Sequence, residues 1–162
     1  KKRKKSYNGF LYVGLMIKNN EPYLIEYNVR MGDPECQTLL PKLKTDFLLT
    51  IEKCIDQKLD DFSIEWHKEK SICIVLCSKG YPDKYETGFP ISGIREENET
   101  TKVFHCGTKK EGEEILSNGG RVLCVTGLGN DLNTAFEIAY EVTSKISWSG
   151  AFFRKDIGKR NQ

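Results

Sequence analysis

The chain has 162 residues, enough for one ordinary domain or two small ones, with 38% apolar and 30% charged residues and a mean hydropathy of −0.50. That balance excludes a disordered chain; no apolar run is long enough to cross a bilayer as a helix, and no signal-like segment opens the sequence. Net charge is +2, yet residues 1–5 carry +5 and the other 157 sum to −3, so the basic face a nucleic-acid binder needs is not there.

The opening Lys1-Lys2-Arg3-Lys4-Lys5 suits a solvated helix end or an interaction tail. It begins without methionine inside a charge run, and a piece of a longer protein is expected. Residues 10–17 and 23–29 read as two strands, and Lys18-Asn19-Asn20-Glu21-Pro22 between them is turn chemistry, so a hairpin is predicted. Its second strand carries Glu26, Asn28 and Arg30 at alternate positions. In extended chain these share one face, with Ile25, Tyr27 and Val29 on the other.

A carboxylate beside an amide oxygen supplies hard oxygen donors of the kind Mg²⁺ takes, and a guanidinium one step on can grip an anionic group in two-pronged fashion. The same alternation also fits a half-exposed strand of an ordinary sheet. Next comes Gly32-Asp33-Pro34-Glu35, which reads as a helix start with Asp33 as cap, Pro34 at the first helical position and Glu35 in the acid-favouring first turn. Pro41 ends or kinks that helix.

A second helix is capped by Thr45 or Asp46, and Phe47, Leu48, Ile51, Cys54 and Ile55 form its apolar stripe, expected to be core. The charged stretch 60–70 marks a boundary. Beyond it, residues 71–78 form an unbroken apolar run that predicts a strand buried on both faces, with short strands near 89–94, 103–106 and 121–126. Gly127-x-Gly129 is too short of glycines for a phosphate loop and reads as a turn before a helix over 131–146, capped by Asn130 or Asp131.

Six cysteines lie at 36, 54, 73, 77, 106 and 124, with no Cys-x-x-Cys pair and no matching histidine spacing. Most sit in apolar runs, and reduced, buried thiols of a cytoplasmic protein are expected. The two histidines, His67 and His105, are too far apart to build a metal site by spacing. The fold class is α+β, divided at 1–62 and 63–162.

Glu26-x-Asn28-x-Arg30 followed by Gly32-Asp33-Pro34-Glu35-x-Gln37 resembles the metal-binding end of an ATP-grasp domain, and more narrowly the glycinamide ribonucleotide synthetase family. Gly80-Tyr81-Pro82, His105-Cys106-Gly107-Thr108, Gly120-Arg121-Val122-Leu123 and Phe153-Arg154-Lys155-Asp156-Ile157-Gly158 continue the match in order, so it covers nearly the whole chain. Met31 stands where the family usually has phenylalanine.

The resemblance implies that residues 1–62 are the carboxy-terminal part of an ATP-grasp domain and 63–162 a small mixed sheet-and-helix domain. It implies Glu26 and Asn28 as ligands of Mg²⁺ or Mn²⁺, Arg30 as the catalytic cation, and Gly32 and Asp33 as shaping the substrate side. Met16 and Ile25 correspond to apolar positions under the adenine of ATP, and Gly14 falls where superfamily relatives often carry a further acidic ligand.

The implied activity is ATP-dependent joining of glycine to 5-phosphoribosylamine through a glycyl phosphate, in purine biosynthesis, with the amino-terminal portion of the enzyme as partner. No nucleic acid and no membrane are implied, and this stretch alone is expected to be inactive. Another ATP-grasp ligase or carboxylase of the same pathway, or a non-catalytic module, are the competing readings. A packing role competes for His105, and a salt-bridged clamp on the tail for Arg154 and Asp156.

Overall fold

A hairpin opens the fold: β1 (Tyr12–Lys18) and β2 (Glu21–Asn28) pair antiparallel across Asn19 and Asn20. Both asparagines have positive φ, 53° and 63°, the backbone of a two-residue turn whose twist matches that of the strands. The turn is therefore shorter than the five residues expected. Pro22 sits inside β2 opposite Ile17, at an edge where a missing N–H is tolerated. These features belong to a computed structural model that describes residues 7–94 and 98–159; the basic run at residues 1–5 lies outside them.

The chain divides into two compact units. The smaller runs to Cys36 and includes Leu43–His67; the larger comprises Gln37–Lys42 and everything from Lys68 onward. In the smaller unit α2 (Phe47–Ile55) starts where Asp46 accepts a hydrogen bond from the Leu49 N–H at 2.7 Å. Phe10 stacks on Phe47, and Lys44 pairs with Glu65 at 2.7 Å. The apolar stripe of α2 is not sealed core as expected: Leu48 and Ile55 stand 64% and 65% exposed. Ile51, Cys54 and Ile55 instead line an apolar concavity of about 430 Å³ with Phe10, Leu59 and Ile64.

The preceding helix, α1 (Glu35–Leu39), is one turn and a half and begins one residue later than expected; the Asp33–Pro34 bond before it is cis. A 3-10 turn at Leu40–Lys42 follows.

The larger unit is built on a four-stranded antiparallel sheet, in which β3 (Lys70–Ser78) and β7 (Arg121–Gly129) are central, β4 (Thr101–His105) flanks β7, and β8 (Ala151–Phe153) flanks β3. The apolar run expected at 71–78 is β3, and its Ile74 and Leu76 are fully buried. α3 (Leu132–Thr143) is capped by Asp131, which accepts from the Thr134 N–H at 2.8 Å. Its Ala135 and Ala139 pack on Ile72 and Ile74.

Gly127 and Gly129 do not form the expected turn. They are the last residues of β7, and a Cβ on Gly127 would sit 2.5 Å from the Ala135 carbonyl oxygen and 2.6 Å from the Ala139 nitrogen. Their absent side chains let the helix lie directly on the strand.

A separate hairpin, β5 (Thr108–Glu111) with β6 (Glu114–Ser117), was not foreseen, because Thr-Lys-Lys-Glu carries no apolar pattern. Conversely, the strand expected at 89–94 reduces to two isolated bridges, Pro90 with Leu116 and Ser92 with Ser147. The architecture as a whole is α+β.

Candidate functional site

Of the polar row expected on the hairpin, β2 itself carries Glu26 and Asn28. Asn28 Nδ2 donates to Glu26 Oε1 at 2.8 Å, so the two side chains lie on one face, as residues two apart must. Across the ladder Glu26 faces Gly14 and Asn28 faces Tyr12. A Cβ on Gly14 would come within 3.1 Å of Glu26 Cγ, so the glycine leaves the carboxylate room to stand. Alternation along β1 puts Met16 on this same face.

A bulge interrupts the register here: Gly14 pairs Glu26 and Leu15 pairs Leu24, leaving Ile25 as the extra residue. Met16 and Ile25 are 57% and 62% exposed. Arg30 lies beyond the end of β2, in a bend, where its Nη1 donates to the Met31 carbonyl at 2.9 Å. Gly32 is buried and its carbonyl accepts from the Cys36 N–H at 2.9 Å. A Cβ on Gly32 would collide with the Glu35 carboxylate at 2.2 Å. Asp33 is exposed and helps hold the Cys36 thiol above its ordinary range, after the larger effect of burial.

Two participants were not foreseen. Tyr12 donates its hydroxyl to Glu35 Oε1 at 3.3 Å, and the negative charge of Glu35, then partial burial and that hydrogen bond, then Glu26, raise the phenol above its usual value. Two carboxylates thus act on one point near Asn28, giving this end of the hairpin a field that favours a cation. Counting the ladder from Asn28 would have found Tyr12. Glu35 was visible in the sequence, but as a first-turn acid.

The chemistry of these donors suits a small hard cation: a carboxylate, an amide whose N–H is already spent on that carboxylate, and a solvent-facing position that lets a metal keep its water. No cluster of three or more His, Cys, Asp or Glu side chains with metal-holding geometry occurs among the described residues. Two protein oxygens by themselves would leave most of the shell of a small hard cation to be filled by water.

The other motifs lie in the larger unit. His105 ends β4, and its Nδ1 lies 2.8 Å from Thr108 Oγ1 across the short connection, a local closure of that turn. Arg154 meets Asp156 through two bonds, Nε to Oδ1 at 2.9 Å and Nη2 to Oδ2 at 2.6 Å. The Tyr140 hydroxyl donates to the Arg154 carbonyl at 2.9 Å and accepts from the Ile157 N–H at 3.1 Å, tying the same segment to α3. Gly80, at φ 99°, turns the Gly-Tyr-Pro segment beside a concavity of about 670 Å³ that is also lined by Lys79 and Lys84.

The chain is 48% identical over 156 residues to a phosphoribosylamine–glycine ligase of Vibrio vulnificus, and 45% identical over 151 residues to that of Caldanaerobacter subterraneus. These matches cover 95% and 93% of this chain but 36% of each relative, so the chain spans little more than a third of their length.

Among solved structures, phosphoribosylamine–glycine ligase of Thermotoga maritima superposes with a TM-score of 0.79 at 32% identity, covering 91% of this chain and 36% of that one. The family model described as phosphoribosylglycinamide synthetase, ATP-grasp (A) domain, matches residues 1–36. The model for the C domain of the same synthetase matches residues 71–160, more than half of the sequence, and the chain belongs to the phosphoribosylglycinamide synthetase family.

Proposed function

We propose that the chain contributes the metal- and phosphate-binding edge of a cytoplasmic ligase that uses ATP to join glycine to 5-phosphoribosylamine, giving glycinamide ribonucleotide, ADP and phosphate. The carrying observation is the Glu26–Asn28 pair, hydrogen-bonded at 2.8 Å on one face of β2 with Gly14 cleared opposite. The relatives' names supply the reaction, and residues 1–36 match the domain that handles ATP in that family.

In this reading Glu26 and Asn28 hold Mg²⁺ or Mn²⁺, which when bound would neutralise phosphate charge. Phosphoryl transfer asks mainly for positioning and charge neutralisation, so no protein nucleophile is needed. Arg30 supplies a fixed positive charge where the acyl phosphate of glycine develops or where its carboxylate binds. Gly32 and Asp33 border the side from which the amine of 5-phosphoribosylamine attacks. Met16 and Ile25, apolar and exposed near the Glu26–Asn28 pair, offer the adenine a surface. Residues 1–62 are read as the end of the ATP-grasp domain and 63–162 as the carboxy-terminal domain, the remainder of the nucleotide clamp coming from the rest of the enzyme.

The test is glycine-dependent ADP release by the full-length enzyme carrying Glu26→Gln. Loss of one such charge-stabilising group lowers turnover by about 10²–10³-fold. Unchanged turnover with the same metal dependence would remove Glu26 from the site. ADP release in the parent enzyme that ignores glycine would instead favour another ATP-grasp ligase.

A further inference from the structure

The larger unit gathers three of its thiols on one face of the sheet. Cys73 on β3 pairs in register with Thr126, and Val75 with Cys124 of β7, so Cys73 and Cys124 share a face. Phe104 of β4 also pairs with Cys124, which puts Cys106, two residues further along, on that face too. The sulfurs of Cys106 and Cys124 are 3.3 Å apart, closer than unbonded sulfurs ordinarily pack. Gln37 Nε2 lies 3.8 Å from the first and 4.0 Å from the second.

Their surroundings differ sharply. Cys124 is fully buried, while Cys106 is exposed. The backbone at Cys106 is pinned: its N–H and that of Gly107 both donate to the Val122 carbonyl at 3.0 Å. The two sulfurs are therefore held together by the sheet and not by a chance rotamer at a loose loop. Hydrogen bonds with Cys106 and Cys73, followed by burial, keep the Cys124 thiol far above its ordinary range, so it does not react with solvent species by itself.

We propose that Cys106 and Cys124 form an oxidative modification site, in which a hydroperoxide converts the pair to an intrachain disulfide. The exposed Cys106 sulfur attacks one oxygen of hydrogen peroxide as the O–O bond breaks and becomes a sulfenic acid, while the other oxygen leaves as hydroxide and takes up the thiol proton to give water. The Cys124 sulfur then displaces the hydroxyl, and its proton departs with that hydroxyl as a second water. Two thiols lose two electrons and one hydroperoxide is reduced. The sulfurs need only close from 3.3 Å to about 2.05 Å, on a face they already share. Cys73, buried at 8% exposure, is a bystander without access to the oxidant.

The experiment is brief treatment of the full-length enzyme with a small excess of hydrogen peroxide, followed by thiol titration in denaturant and peptide mapping. Titratable thiols should fall by two, a Cys106–Cys124 linked peptide should appear, and dithiothreitol should restore both. Cys106→Ser, at an exposed position, should lose no such pair under the same treatment, and Cys73→Ser should still lose two. A Cys73–Cys124 link, an intermolecular link, or Cys106 running on to sulfinic acid with no link would each overturn the proposal.

Discussion

The hairpin of the smaller unit and the central strands of the larger one are made from the same kinds of residue, yet they end in opposite environments. Leu15, Ile17, Leu24 and Ile25 on β1 and β2 are each about half or more exposed, whereas Ile74, Leu76, Leu123 and Val125 on β3 and β7 are fully buried. Both pairs are antiparallel ladders, each interrupted by one register shift. The ladder decides that a segment is a strand; neighbours on either face decide whether its apolar side chains leave water. β3 and β7 have flanking strands and a helix, and the hairpin has its own partner in a two-stranded sheet. An isolated hairpin of that kind is marginal in water.

Substitution breaks or sharpens this contrast. Leu123→Ala should cost about 2–5 kcal/mol by opening a cavity in a sealed core, while Leu24→Ala should fall within about 0.5 kcal/mol. Urea unfolding of each variant measures both, and comparable losses would mean that the hairpin is buried in solution. Gly127→Val tests the close approach of α3 to β7. Its side chain would meet the backbone of Ala135 and Ala139, and a loss of about 1–3 kcal/mol is expected from overpacking. A neutral outcome would show that the helix can lift without penalty.

Tyr140→Phe removes the hydroxyl that ties Arg154 and Ile157 to α3, and should cost about 1 kcal/mol by the same measurement. A loss beyond that would make the tail a larger part of the unit than its three-residue strand implies.

The smallest effect is a pH dependence shared by the two units. The Thr134 backbone N–H holds Asp131 below its ordinary range, and Lys44 does the same for Glu65. Each folded-state value is depressed, so each contribution is present above the ordinary carboxylate range and is lost as pH falls through the folded-state value. Thermal midpoints taken from about pH 6 down to about pH 2 should drop, and drop less steeply in Asp131→Asn, which keeps a capping oxygen without the charge. An unchanged slope would mean that Asp131 carries no charge-dependent part of the stability.

Much of the fold was legible. The run of eight residues from Ser71 to Ser78 could only be a strand buried on both faces, and the 3.6-residue stripe behind Asp131 could only be a helix packed on something. The Glu26–Asn28 pair was equally readable, because residues two apart on an extended strand share a face whatever surrounds them. Arg30 was less so: the strand stops at Asn28 and a bulge falls at Ile25, and neither event has a signature in the residues themselves. Glycines 127 and 129 looked like a turn because close helix approach and tight turning select the same residue.

By itself, then, the order of amino acids determined that β1, β2, β3 and β7 are strands and α2 and α3 are helices, where those two helices begin, and which donors stand together on β2. These depend on neighbours within a few positions, through backbone hydrogen bonding, capping and side-chain period. Only the tertiary structure decided that the stripe of α2 stays half in water, that a Thr-Lys-Lys-Glu stretch is a strand, and that Cys73, Cys106 and Cys124 meet. Those outcomes rest on pairing between residues far apart along the chain, for which local spacing holds no information.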